Sequence, residues 1–126
     1  MAKLASTIVY GDLTVSRTIS GDGSGLTNVN ATLNPKVVSS AYTAVSGDFL
    51  LVNTSSAPIT ITMPAGVNGM TIRFTDFAGT WGTNNVTLSG GSYVNAAGTT
   101  QAGPFILDIS SFDVTAIYHT GAWRIR

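Results

Sequence analysis

Apolar and polar residues alternate along most of this chain, and the alternation has period two. Leu13, Val15 and Ile19 share one face, with Thr14, Ser16 and Thr18 on the other. Arg17 falls on the apolar side and breaks the stripe. Ile59, Ile61 and Met63 face one way between threonines, and Met70, Ile72 and Phe74 repeat the pattern. Further strands are predicted at Thr7 to Tyr10, Val37 to Val45 (interrupted), Phe49 to Asn53, Val86 to Leu88, Ser92 to Asn95, Phe105 to Ile109, Val114 to Tyr118 and Trp123 to Arg126. Turn residues separate them: Ser46-Gly47-Asp48, Pro64-Ala65-Gly66, Asn68-Gly69, Gly90-Gly91 and Thr120-Gly121. No stretch carries a 3.6-residue period. The chain therefore reads as all-β, an antiparallel β-sandwich or a small jelly-roll-like barrel with an extended N-terminal β arm. The domain is set at 34–126 and the arm at 1–33, joined near Pro35.

The arm centres on Ile19 to Ala31, where Gly21, Gly23 and Gly25 interrupt the stripe before Leu26. A two-stranded ribbon is marginal alone in water. The rest of the chain, a second copy or a partner must complete it. Leu13, Val15, Arg17, Ile19 and Leu26 are thus the candidate oligomerisation and attachment residues.

Composition sharpens this picture. Glutamate is absent, lysine occurs only at Lys3 and Lys36, and charged residues make up 10% of the 126. Helix formers are scarce, and so few charges favour association. Six basic and six acidic residues cancel, which argues against nucleic acid as a partner. Phe49-Leu50-Leu51-Val52 is far too short to span a membrane, and Met1-Ala2-Lys3-Leu4 lacks the apolar core of a signal peptide. There is no cysteine, hence no disulfide or thiolate site.

Candidate chemistry is thin. Gly21-Asp22-Gly23-Ser24-Gly25 resembles a phosphate loop only superficially, because no helix pattern and no Walker lysine follow it. The six aspartates have no calcium-loop spacing and sit where Asp caps turn amides. His119 is the single histidine and lies in a turn. No catalytic, cofactor or metal residue is assigned. The loop from Phe77 to Asn85 has two open roles. Trp81, Asn84 and Asn85 can form a recognition loop for a glycan or protein, or Trp81 can pack over the sandwich edge while the asparagines make a turn. Trp123 alternates with Ile125 and is expected in the core.

Two stretches resemble bacteriophage virion proteins. GDLTVSRTISGDGSGLTN, Gly11 to Asn28, is similar to a motif of tail-fibre and other virion proteins that sit in homotrimers. From Tyr42 onward, the Thr-Ile-Thr-Met-Pro strand end, the loop with Asp76, Gly79, Asn84 and Asn85, and the closing Trp123 resemble small β domains of phage tail and capsid proteins. The resemblance implies a non-enzymatic virion protein, a homotrimer on the outer capsid or the tail. Its partners would be the major capsid protein or other virion proteins, or a host glycan. A capsid decoration (cement) protein is the first expectation, and a tail-fibre or tail-tip component the alternative.

Overall fold

Alternation becomes strand throughout the residues that the computed structural model describes, 34–95 and 97–126. The arm at 1–33 lies outside them, and with it Leu13, Val15, Arg17, Ile19 and Leu26. Among the described residues there are eleven strands: β1 Lys36–Val38, β2 Tyr42–Thr43, β3 Phe49–Val52, β4 Ile59–Thr62, β5 Thr71–Asp76, β6 Val86–Ser89, β7 Ser92–Val94, β8 Thr100–Ala102, β9 Phe105–Leu107, β10 Asp113–His119 and β11 Ala122–Ile125. β8 alone had no predicted counterpart. Its three residues are all exposed, so no alternation marks it.

Two sheets form, one ordered β1-β3-β5-β10-β11-β7-β8 and the other β2-β4-β6-β9. Their inward side chains meet in one core. Val38, Leu50, Val52, Ile72, Phe74, Val114 and Trp123 come from the first sheet, and Ile59, Ile61, Val86, Leu88 and Leu107 from the second. The all-β sandwich is therefore as expected, and its sheets are mixed: β5 with β10, β10 with β11, β6 with β9 and β7 with β8 are antiparallel as expected. β1 with β3, β3 with β5, β2 with β4, β4 with β6 and β7 with β11 are all parallel.

The physical reason is that the chain winds. From β1 to β6 it passes alternately from one sheet to the other. Parallel neighbours need a crossover, and here each crossover is a strand of the opposite sheet. Turns such as Ser46-Gly47-Asp48 thus carry the chain between layers instead of closing hairpins. A two-residue hairpin does join β10 and β11. Thr120 and Gly121 both have positive φ, 51° and 80°, as a type I′ turn requires. The last residue is tied into the sheet by reciprocal backbone bonds between Arg126 and Thr115, at 2.8 and 3.0 Å.

Trp123 lies in the core as expected, edge-on to Tyr118 with ring centroids 5.1 Å apart. Tyr118 in turn lies flat over Gly66, where an added Cβ would fall inside its ring. The Pro64-Ala65-Gly66 segment can pass this closely only without a side chain. Gly66→Ala should therefore cost about 1–3 kcal/mol, because the ring must be pushed aside. Urea unfolding of Gly66→Ala, Tyr118→Ala and the double variant measures it. The double variant should lose less than the sum of the singles, since the clash disappears with the ring.

Candidate functional site

Asp76 closes β5 and is almost fully buried. Its Oδ1 accepts from the backbone N–H of Ala78 at 3.3 Å and of Thr80 at 3.2 Å. Its Oδ2 accepts from the N–H of Trp81 at 3.2 Å and of Ser111 at 2.9 Å. Three of these donors belong to the loop that follows β5. The fourth belongs to the turn between β9 and β10. Gly79, at φ 67°, lets the loop curl back onto the carboxylate. Burial alone would push the carboxyl pKa up, but the amides of Ser111, Trp81, Thr80 and Ala78 outweigh it and hold the pKa below its usual value. Gly82 N–H adds a second tie between loop and turn by donating to Ser110 Oγ at 2.9 Å.

Between these two braced segments lies an apolar groove of about 370 Å³. Trp81, Phe105, Leu107, Phe112, Val114 and Ile125 line it, and Asp108 and Arg126 add one charge of each sign. Ile106 is 44% exposed, Ile109 58% and Phe112 47%, so large apolar side chains stand outside a core already filled by others. Phe105 is held from behind by Tyr93, with ring centroids 5.5 Å apart.

The structure decides between the two roles left open for the loop. Trp81 is wholly buried, and its indole Nε1 donates to Val52 O at 3.3 Å. A recognition role through its ring is corrected: the ring belongs to the core and floors the groove from within. Asn84 likewise turns inward, donating from Nδ2 to Thr54 O at 2.8 Å, while the Thr54 and Thr80 hydroxyls meet at 2.8 Å. Asn85 is half-buried, and its carbonyl accepts from Ile59 N–H at 3.2 Å. These residues shape the loop and leave little of it for a ligand.

Sequence reasoning missed Ile106, Ile109 and Phe112. A signal was present, because Phe105-Ile106-Leu107 is an unbroken apolar run in a domain whose other strands mostly alternate. His119, expected in a turn, is instead the exposed last residue of β10, beside the Thr120-Gly121 turn. Among the described residues, no three His, Cys, Asp or Glu side chains gather as metal ligands would. No family model matches the chain, and no curated protein is significantly similar to it.

Asp76→Asn tests the brace. An amide keeps one acceptor but turns an NH₂ toward two of the four donors. A buried donor left unpaired costs about 1–3 kcal/mol, and only the Trp81 bond of the four is fully buried, so the loss should be about 2–4 kcal/mol by urea unfolding. The carboxyl is more acidic folded than unfolded, so its contribution is present above the unfolded pKa of about 3.9 and is lost as pH falls through the folded value. The wild-type urea midpoint should fall between about pH 5 and about pH 2, and the Asn variant's should fall less. The slope left in the variant belongs largely to Asp113, whose pKa is lowered chiefly by its hydrogen bonds with Arg73.

Proposed function

We propose that the protein is a non-enzymatic structural component of a bacteriophage virion, a trimeric capsid decoration (cement) protein that ties neighbouring coat subunits together. The observation that carries this reading is the apolar surface at Ile106, Ile109 and Phe112, held rigid by the Asp76 brace on a domain whose core is complete without it. Exposed apolar patches of this kind mark protein interaction sites. The resemblance of the Gly11 to Asn28 motif and of the strands from Tyr42 onward to phage proteins supplies the particle. A chain of zero formal net charge and few charged side chains binds through apolar and backbone contacts more than through long-range attraction.

The second reading, a tail-fibre or tail-tip protein that binds a host surface glycan, is favoured by the same Gly-Asp-Gly-Ser-Gly motif. It has lost its best aromatic, since Trp81 is buried. Phe77, 52% exposed at the start of the loop, is the ring that remains for it.

Two outcomes are expected. Light scattering at micromolar concentration should give three times the 13.0 kDa chain mass. A mass of one chain would overturn the trimer. Particles lacking the protein should rupture at lower temperature, because a ligand that binds only the assembled shell stabilises it. Wild-type protein should restore the heat resistance. Ile109→Asp with Phe112→Asp should not, since each buries an unpaired charge on binding. Attachment should weaken only slightly as salt rises and the Debye length falls from about 10 Å to about 3 Å. Particles that keep full heat resistance but no longer adsorb to host cells would place the protein on the tail instead.

A further inference from the structure

Asn68-Gly69, a turn signal in the sequence, carries chemistry of its own, and it is the one Asn-Gly pair in the chain. Glycine has no Cβ to keep its backbone nitrogen away from a neighbouring side chain. An asparagine carboxamide therefore meets the next nitrogen most readily when glycine follows. Both residues are exposed in the segment between β4 and β5. Met70 N–H donates to Val67 O at 3.0 Å, and Gly69 has φ 93°. Those two facts make a type II turn with Asn68 and Gly69 as its central pair.

The β10–β11 hairpin grips both groups that would react. Asn68 Oδ1 accepts from Thr120 N–H at 2.9 Å. Gly69 N–H donates to Tyr118 O at 2.9 Å, and Tyr118 N–H donates to Met70 O at 2.9 Å. In a type II turn the first central residue has ψ near about 120°. That angle aims Gly69 N away from the Asn68 side chain, whereas ring closure needs the nitrogen and Cβ eclipsed. The peptide must rotate out of the turn first. It cannot rotate while Tyr118 holds Gly69 N–H and Thr120 holds the carboxamide.

We propose that Asn68-Gly69 is a self-modification site kept latent by the β10–β11 hairpin, and that opening of this hairpin lets the chain convert Asn68 to aspartate and isoaspartate. Gly69 N bonds to Asn68 Cγ, and the Cγ–Nδ2 bond breaks. Ammonia leaves, carrying the proton that Gly69 N gives up through solvent. Water then opens the cyclic imide at either carbonyl. The aspartate product keeps an oxygen for Thr120 N–H. The isoaspartate product routes the backbone through the side chain and lengthens the turn by one methylene. The Tyr118 ring lies flat over Gly66 at this same end, with no room between ring and backbone. The longer turn cannot return to its place against that ring, so isoaspartate makes the opening permanent. All of these contacts lie within the described domain, and the site does not depend on which particle carries the protein.

The test incubates the full chain at mildly alkaline pH, folded and unfolded in urea. Peptide mapping separates the Asn, Asp and isoAsp forms of position 68. Conversion should be at least about tenfold slower in the folded chain, the factor that two ordinary hydrogen bonds hold closed. In the folded wild type, the rate should rise with temperature in step with hydrogen exchange at the Gly69 and Thr120 amides, because both need the same opening. Gly121→Ala places a Cβ at φ 80°, where it meets no neighbour but strains the hairpin turn. It should speed conversion several-fold. The purified isoaspartate form should unfold at lower urea than Asn68→Asp, which changes the charge and leaves the backbone length alone. Equal rates in the folded and unfolded chain, or conversion out of step with amide exchange, would overturn gating by the hairpin. No conversion in urea would overturn the site itself.

Discussion

One carboxylate ties together two loops at one end of this domain. The four amides that converge on Asp76 come from two segments far apart in sequence, the loop after β5 and the turn before β10. Each segment also meets a strand at its end, through Phe77 N–H donating to Val52 O and Asp76 N–H donating to Phe112 O. Without the shared acceptor, the buried N–H of Trp81 would lack a hydrogen bond and the middle of the loop would lose its tie to the turn. With it, Trp81 is drawn down until its indole reaches Val52 O, and Ser111 is held at φ 58°, a conformation non-glycine residues rarely adopt. The two segments contribute Trp81, Asp108, Ile109 and Phe112 to the groove, and β9, β10 and β11 supply most of the rest. A charged group was needed, since a neutral side chain cannot accept four amides at once.

Much of the fold could be read from alternation, because alternation is caused by burial on one side. Ile59, Ile61 and Met63 are buried where their period two places them, and so are Ile72 and Phe74. Pairing direction was not readable in the same way. Gly and Asp permit a reversal within one sheet and a step between two sheets equally well, so Ser46-Gly47-Asp48 could be read as a turn but not as the layer change it is. At Thr120-Gly121 the local chemistry and the long-range geometry coincide, and the hairpin formed as predicted.

The candidate site was harder to read. The Asp76 to Asn85 spacing marked the right loop, but an aromatic between glycines and asparagines has the same sequence whether it points out or in. What settles Trp81 is the space beneath β3, which the sequence does not display. The groove residues were hidden for the opposite reason. Ile106 and Ile109 fell in a predicted strand and Phe112 in none, and all three stand exposed where the four-stranded sheet ends.

The winding of β1 to β6 also governs how the chain comes to be folded. Leu50 lacks one of its two sheet neighbours until Phe74 has been made, and Ile61 lacks one of its two until Leu88 has. Each turn of the winding must close a long loop before its backbone bonds repay the lost entropy. Contacts this distant place the domain among slow folders, on the millisecond-to-second scale typical of β-sandwiches. The early strands are therefore made first and satisfied late, exposing unpaired apolar edges during synthesis. A scarcity of charge, useful in a finished contact, gives little protection during that interval.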